Sequence, residues 1–269
     1  MHPDLFSIGP FTVHSYGTMI VIGFLMGLLV IRIRASQVNI SKDLMMDLAF
    51  GLLIAGFIGA KFFYWLVIPS SFVADARLLV SDPLGFIKNL GNGFEFFGGI
   101  ASGVFYFLWY SRRHHLDRST VLDLLTPSVP LAHAFGRIGC FMAGCCYGRQ
   151  CSASWAVTFN DPHTLAPRGV PIHPTQIYES VLLFILTAAL LRFDRQIKRI
   201  PGRMVSVYIL GYTIIRFIVE YFRGDNRGQL PGTILSGTQI IALCIAAGAT
   251  IWLIYLYRNH RGLNGSNNN

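Results

Sequence analysis

Two arginines lie inside apolar segments of this sequence, where a charged side chain needs a physical reason. Arg137 lies among glycines in the segment 134–141, and Arg216 lies in the apolar segment 210–220. A cation inside a membrane-spanning segment is costly, so it is usually paired or functional. Because a guanidinium group can bind a phosphate through two hydrogen bonds at once, both arginines are candidate binders of an anionic group.

Arg216 belongs to a polar stripe on an otherwise apolar predicted helix. The stripe comprises Tyr212, Arg216, Glu220 and Arg223, which recur every three or four residues. Side chains at this spacing share one face of a helix. The stripe predicts either an anion-binding site or a structural Arg216–Glu220 pair that holds two helices together.

Glycines flank Arg137 and reduce the bulk of the backbone around it. They are Gly136, Gly139, Gly144 and Gly148. In a membrane, small residues of this kind allow neighbouring helices to pack closely. The same glycines would also leave room for a ligand beside Arg137, and spacing alone favours neither interpretation.

The segment 173–179 has the pattern of a helix start near a membrane surface. Pro174 suits the first turn of a helix, and Gln176 and Glu179 are predicted to point toward the outer interface. The alternative is a capped helix with an interfacial tyrosine, Tyr178. The remaining candidates for proton transfer are His14, Glu95, His133 and His173.

Four of the five cysteines lie between positions 140 and 151. They contain no Cys-x2-Cys pair, and a continuous helix would place Cys140 and Cys145 on different faces, so no metal site is predicted. Outside the cytoplasm, a disulfide from Cys145 or Cys146 to Cys151 is the favoured interpretation.

The composition is typical of a membrane protein. Only 13% of the 269 residues are charged and 53% are apolar, whereas soluble domains carry about a quarter charged residues. The net charge of +9 is spread over short basic clusters between apolar runs. Because no soluble domain is left to carry a basic patch, a nucleic-acid partner is not predicted.

Apolar runs of about 20 residues are long enough to cross a bilayer. The sequence predicts an all-α, polytopic membrane helix bundle with about seven transmembrane helices, at 15–32, 44–66, 96–111, 121–145, 175–192, 203–222 and 233–257. Most basic residues then fall on one side, which predicts an outer N-terminus and a cytoplasmic C-terminus. Residues 1–261 are predicted to form a single integral-membrane domain, and residues 262–269 a polar tail.

Five short motifs follow one another along nearly the whole chain. They are His14 to Gly17, Gly98-Gly99, Gly136 to Gly139, His173 to Glu179, and Gly211 to Arg223. In this order they resemble the phosphatidylglycerol–prolipoprotein diacylglyceryl transferase family of bacterial inner membranes. The resemblance implies a multi-pass inner-membrane protein with a periplasmic N-terminus and an active site toward the periplasm.

The resemblance also implies substrates, products and roles for individual residues. The diacylglyceryl group of phosphatidylglycerol would pass to the lipobox cysteine of a prolipoprotein signal peptide, with no cofactor or metal. Arg137 and Arg216 match the two arginines that handle the phospholipid. Together with the residue types above, this gives the candidate catalytic residues Arg137, Arg216, Glu95 and His14. The candidate substrate-binding residues are Tyr16, Gly98, Gly99, Gly136, Gly139, Gly148, His173, Gln176, Tyr178, Glu179, Tyr212, Glu220 and Arg223.

The chain departs from the family pattern at three positions. Family members often carry a histidine, a proposed base, where this chain has Phe97, and asparagine and glutamate where it has Cys140 and Cys145. Phe97 cannot accept a proton. The base is therefore expected elsewhere, with Glu95, His14 and His173 as candidates, or no dedicated base is needed.

The implied reaction is attack by sulfur on the glycerol carbon that bears the phosphate ester. It forms a thioether and releases glycerol phosphate. Cationic surroundings favour a thiolate and stabilise the charge that develops on a departing phosphate. Two other classes stay open: a non-enzymatic lipid-binding or transport protein, and a related transferase with another acceptor.

Overall fold

The computed structural model describes residues 3–9, 11–38, 40–89, 91, 93–197, 200–224 and 235–266. Within these ranges the regular secondary structure is helical apart from two small antiparallel sheets, in which β1 (Asp4–Ile8) pairs with β2 (Phe11–His14) and β3 (Val157–Thr158) pairs with β4 (Pro171–Ile172). The helices are α1 (Ser15–Gln37), α2 (Lys42–Val67), α3 (Pro69–Ser81), α4 (Pro83–Asn89), α5 (Phe96–Arg113), α6 (Arg118–Leu125), α7 (Ser128–Ala143), α8 (Thr175–Ile197), α9 (Arg203–Glu220) and α10 (Gly237–Ser266).

The chain divides into two compact units. The first comprises residues 1–30 and 119–269, and the second comprises residues 31–118. The first unit contains both sheets and the helices from α6 to α10. The second contains α2 to α5 and the last residues of α1.

Four helices are long and apolar enough to cross a membrane, so the protein is a helical membrane protein. Within the described ranges these spans are Ser15–Gln37, Lys42–Val67, Thr175–Arg192 and Gly237–Asn259. The other three predicted spans correspond to α5, to α6 with α7, and to α9. Helix α9 is helical over 18 residues but carries Arg203, Arg216 and Glu220.

The helix predicted at 121–145, with interruptions at Pro127 and Pro130, is broken at the first of these two prolines. The structure has two helices, α6 and α7, separated at Pro127. Proline has no N–H to donate to the preceding turn, so the helix restarts at Ser128. Pro130 is tolerated because it falls in the first turn of α7, where the N–H groups have no partner within the helix. Gly144 ends α7 in a left-handed conformation, with φ of 78°.

Several elements were absent from the sequence-based prediction. The connection between positions 67 and 95 contains α3 and α4, and the residues before α1 form the β1–β2 hairpin. At the other end, α10 extends to Ser266, into the segment expected to be a polar tail.

In the second unit, a buried ion pair attaches α3 to α2. The Lys61 ammonium of α2 lies 3.0 Å from the Asp75 carboxylate of α3, and both residues are buried. The Trp65 indole N–H donates to Asp75 at 2.9 Å, and the Asn89 amide donates at 3.1 Å. These donors hold the pKa of Asp75 below its usual range, with the Trp65 hydrogen bond as the largest cause.

In the first unit, consecutive helices pack side by side, α7 on α8, α8 on α9 and α9 on α10. Ala134, Leu183, Ile215 and Val219 are buried together where α7, α8 and α9 meet. The Ser180 hydroxyl of α8 donates to the Ala134 carbonyl of α7 at 3.0 Å. Helix α1 packs on α7, because a methyl group at Gly23 would lie 2.8 Å from the Ala132 carbonyl oxygen.

The start of α9 is fixed by a carboxylate from another helix. Asp123 of α6 accepts hydrogen bonds from the backbone N–H groups of Gly202 at 2.8 Å and Val205 at 3.2 Å. A carboxylate at a helix N-terminus satisfies free N–H groups and complements the helix dipole. This contact sets the position of the helix that carries Arg216.

Replacing Asp75 with Asn is expected to destabilise the protein by about 2 kcal/mol, between the values for exposed and fully buried ion pairs. The buried Lys61 would lose its countercharge. Thermal unfolding in detergent measures the loss, with Asp43→Asn as the control, because Asp43 is an exposed residue of α2. An unchanged unfolding temperature would contradict this role of the pair.

The same pair predicts a dependence of stability on pH. Because the pKa of Asp75 is lower in the folded protein, the carboxylate stabilises the fold at pH values above its unfolded pKa. That contribution should disappear as the pH falls below about 4. Unfolding temperatures of wild type and Asp75→Asn, measured from pH 7 downward, should therefore converge at the acid end.

Candidate active site

Arg137 forms a buried ion pair between α7 and α8. Its Nη2 atom lies 2.8 Å from Oε2 of Glu179, and the side chains are 9% and 3% exposed. The other carboxylate oxygen of Glu179 lies 3.7 Å from Nε2 of His133. The Nε atom of Arg137 is buried and has no hydrogen-bond partner among the described residues.

Arg216 forms the pair that the stripe predicted. Its Nη2 atom lies 2.8 Å from Oε2 of Glu220, one turn later on α9. Glu220 also accepts a hydrogen bond at 3.0 Å from the Ser236 hydroxyl, just before α10. The Arg216–Glu220 pair is therefore present, and Glu220 also links α9 to Ser236. The ion pair uses the Nη2 atom of Arg216, and the other guanidinium nitrogens can bind another group.

His133 and Tyr212 each lie close enough to Arg137 and Arg216 to interact with both charges. The His133 ring is within electrostatic range of Glu179, Arg137 and Arg216. The Tyr212 hydroxyl is within range of the same three groups and of Arg223. The two rings also contact each other, with centroids 5.6 Å apart. The arginines of α7 and α9 therefore belong to one polar cluster inside the first unit.

Three cysteine thiols lie beside Arg137. The sulfur atoms of Cys140, Cys145 and Cys146 all lie within 4.8 Å of one another. The prediction that Cys140 and Cys145 occupy different helix faces is wrong, because α7 ends before Cys145 and the chain turns back at Gly144. The favoured disulfide to Cys151 is also wrong, since every cysteine is a free thiol.

The start of α8 holds this turn in place. The Thr175 hydroxyl donates to the Cys146 carbonyl at 3.0 Å, and the Gln176 amide donates to the Cys145 carbonyl at 2.7 Å. The predicted helix start at 175 is confirmed. The predicted outward direction of Gln176 and Glu179 is wrong, because both residues are buried inside the unit. Arg137 and His133 of α7 contact the Glu179 carboxylate, and the Gln176 amide donates to the Cys145 carbonyl just after α7.

Gly148 and Gly139 are needed for close backbone contact. A methyl group at Gly148 would lie 2.5 Å from the His173 carbonyl oxygen, and the backbone there forms a bridge with Arg223. A methyl group at Gly139 would lie 3.2 Å from the Tyr16 Cα atom, so this glycine serves packing of α7 on α1. Gly136 has open space beside it, so no close contact requires a glycine there.

Tyr16 and His14 lie at the start of α1. The Tyr16 hydroxyl is within electrostatic range of the three thiols and of Arg137. His14 is exposed, and its Nδ1 atom lies 2.6 Å from Asp4. Asp4 also contacts His163 at 3.0 Å, and the hydrogen bond from His14 is the largest cause of the lowered pKa of Asp4.

His173 and Tyr178 border an apolar cavity of about 350 Å³ between α8 and α9. Its other lining residues are Trp155, Leu182, Ile218, Val219 and Phe222. The Tyr178 hydroxyl accepts a hydrogen bond from the Trp155 indole at 2.8 Å and lies 3.1 Å from Nδ1 of His173. The polar edges of these residues are thus paired with one another, which leaves the cavity wall apolar.

Glu95, Gly98 and Gly99 lie in the second unit. Glu95 is the residue before α5, and its backbone N–H donates to the Ala60 carbonyl at 2.9 Å. Gly98 is buried and directly faces Phe63 of α2, and Gly99 faces Gly56. The two glycines therefore allow α5 to pack against α2.

The thiol cluster and the Glu179–His133 contact are the features that sequence reasoning missed. The sequence identified His133 only as a candidate for proton transfer, without a partner. Its position one helical turn before Arg137 was the available signal, because residues four apart lie on the same face. No comparable signal marks the thiols, since they meet only after the chain has turned back.

Comparison with known proteins identifies the family of this chain. A family model described as prolipoprotein diacylglyceryl transferase matches residues 3–255. The phosphatidylglycerol–prolipoprotein diacylglyceryl transferase of Clostridium tetani is 37% identical over 244 residues, covering 90% of this chain and 93% of the relative. The corresponding transferase 2 of Clostridium perfringens is 33% identical and covers 89% of each chain. The Vibrio cholerae transferase is 31% identical, covering 97% of this chain and 93% of the relative. The chain belongs to the prolipoprotein diacylglyceryl transferase family.

Proposed function

We propose that this protein transfers the diacylglyceryl group of phosphatidylglycerol to the lipobox cysteine of prolipoproteins, the first step of lipoprotein maturation. The observation that carries the proposal is the buried Nε atom of Arg137, which has no hydrogen-bond partner among the described residues. A buried donor without an acceptor costs free energy unless a ligand supplies one. A phosphate oxygen is a suitable acceptor for a guanidinium donor.

The two arginines would bind the phosphate group of the lipid and stabilise it as the leaving group. Arg137 and Arg216 share the electrostatic environment of Tyr212 and His133, so one phosphate group can experience both. Negative charge grows on the phosphate as its bond to the glycerol carbon breaks. Fixed guanidinium donors stabilise that change without reorganising during the reaction.

The apolar cavity between α8 and α9 would accept an acyl chain or the apolar part of a signal peptide. Its walls include Leu182, Ile218 and Val219, on the helices that also carry Glu179 and Arg216. Both substrates are amphiphiles held in the bilayer, so an opening between helices suits them better than an aqueous channel.

We further propose seven membrane spans in the bacterial inner membrane, with a periplasmic N-terminus, a cytoplasmic C-terminus and an active site toward the periplasm. The basic clusters at the ends of α1 and α5 support this orientation.

Glu95 and His14 remain the proposed proton acceptors. Replacing each with Gln in the transferase assay tests this part of the proposal.

Arg137→Ala and Arg216→Ala are each expected to lower the transfer rate about 10²- to 10³-fold, or about 3 kcal/mol. The lysine variants should recover little, because an ammonium group cannot form two parallel hydrogen bonds. The assay is mass spectrometry of a lipobox peptide incubated with phosphatidylglycerol and purified protein. Arg203→Ala, at the other end of α9, is the matched control and should retain activity. An active Arg137→Ala protein would reject the proposed role.

A double-mutant cycle separates catalysis by Arg137 from a purely structural ion pair. Glu179→Gln alone should destabilise the protein by about 3 kcal/mol, because it leaves a buried guanidinium without a carboxylate. The double variant Arg137→Gln/Glu179→Gln should recover stability but not activity. Recovery of both would mean that Arg137 only holds α7 against α8.

A further inference from the structure

The thiols of Cys140, Cys145 and Cys146 are arranged as a ligand set. Their sulfur atoms lie within 4.8 Å of one another. A tetrahedral zinc ion with Zn–S bonds of about 2.3 Å needs sulfur atoms about 3.8 Å apart. Shifts of about an ångström in flexible thiol side chains would therefore close the site. A disulfide requires two sulfur atoms about 2.05 Å apart. Forming one here would need a larger movement than binding zinc, and the third thiol would stay unpaired.

We propose that Cys140, Cys145 and Cys146 bind one thiophilic divalent cation, zinc, and that its fourth coordination position receives the thiol that the enzyme alkylates. The second part rests on the proposed transferase function. The sequence predicted no metal, and the family resemblance implied none. The proposal therefore rests on the three cysteines at positions 140, 145 and 146 of this chain.

The backbone holds the three thiols together at a cost. Cys146 has φ of 59°, in the left-handed region that residues other than glycine rarely adopt. Such strain persists where surrounding contacts enforce it, and it concentrates at functional sites. Here the enforcing contacts are the hydrogen bonds from Thr175 and Gln176 to the carbonyl groups of Cys146 and Cys145. The strained turn aims the Cys146 sulfur at the other two.

The charges around the cluster suit a zinc–thiolate centre. Three thiolates and one Zn²⁺ carry a net charge of −1. The guanidinium groups of Arg137 and Arg223 lie close enough to interact with the Cys146 sulfur, and Nη1 of Arg137 donates to the Cys140 sulfur at 3.9 Å. Donors to ligand sulfur atoms orient the ligands and offset the negative charge of the centre. Three sulfur atoms leave the fourth position of a tetrahedral ion to another ligand.

The chemistry of the open position matches the proposed reaction. A thiol that coordinates zinc is deprotonated, and its proton passes to water or to one of the proposed acceptors, Glu95 and His14. The bound sulfur then attacks the glycerol carbon, so a C–S bond forms and the C–O bond to phosphate breaks. The bonding electrons leave with glycerol phosphate beside the arginines. The thioether product is neutral and a weaker ligand, so it dissociates. This route needs no histidine at the position occupied by Phe97.

The first experiment measures metal binding without any assay of activity. The purified full chain is reduced, loaded with zinc and dialysed, and bound zinc is counted by elemental analysis. One zinc per chain is expected for wild type and for the control Cys151→Ser/Cys244→Ser, which keeps the cluster. Cys140→Ser/Cys145→Ser/Cys146→Ser should bind none. Wild type without zinc, or a triple variant that binds as much as wild type, would overturn the site.

X-ray absorption at the zinc edge tests the ligands in wild type, so it does not depend on whether a variant folds. Three sulfur ligands at about 2.3 Å are expected, together with a fourth, lighter ligand. Fewer than three sulfur ligands would contradict the assignment. A count of free thiols under non-reducing conditions adds a second check, because a disulfide within the cluster would also contradict it.

The fourth position is tested with cobalt in place of zinc. The visible spectrum of cobalt-loaded protein should shift when a lipobox peptide with a free cysteine is added, and should not shift with the serine peptide. No shift would overturn substrate coordination while leaving the metal site intact.

Removal of zinc should lower transfer at least tenfold, and re-addition should restore it. A metal-loaded protein that shifts with peptide but never transfers lipid would reject the proposed function instead.

Discussion

The ion pair between Arg137 and Glu179 is the interaction on which the first unit depends. Both side chains are buried between α7 and α8, where an isolated charge would be strongly destabilising. Glu179 neutralises the arginine and also contacts His133, so α7 and α8 are held in one relative position. The pair leaves the Arg137 Nε atom without an acceptor. The same contact therefore fixes the fold of the unit and prepares a donor for a ligand.

The sequence was sufficient for those features that depend on local periodicity. Long apolar runs gave the spans of α1, α2, α8 and α10, since each crosses a bilayer by length alone. The four-residue spacing of Tyr212, Arg216 and Glu220 correctly placed them on one helix, which ends before Arg223. The start of α8 at Thr175 followed from the preceding proline. Each of these predictions uses residues within a few turns of one another.

The failures share a different cause, which is contact between residues far apart in the chain. Asp75 lies in a stretch read as a loop, yet Lys61 and Asn89 make it the centre of a buried polar cluster. Gln176 appeared to face the interface, yet its amide bonds the Cys145 carbonyl 31 residues away. Cys140 and Cys145 separate on an ideal helix and meet only because Gly144 ends it. No local pattern encodes such partners.

The backbone around Gly148 explains how a thiol centre and a phosphate-binding group could keep a fixed separation. The backbone N–H of Gly148 donates to the His173 carbonyl at 3.1 Å, and the backbone N–H of Arg149 donates to the Phe222 carbonyl at 2.8 Å. The turn that carries the cysteines is thereby joined to the start of α8 and to the end of α9. Displacement at carbon requires the attacking and leaving atoms in line, and a misplacement of about an ångström can cost about 10²-fold in rate. A glycine at 148 is needed for this arrangement, because any larger side chain would separate the segments that set the alignment.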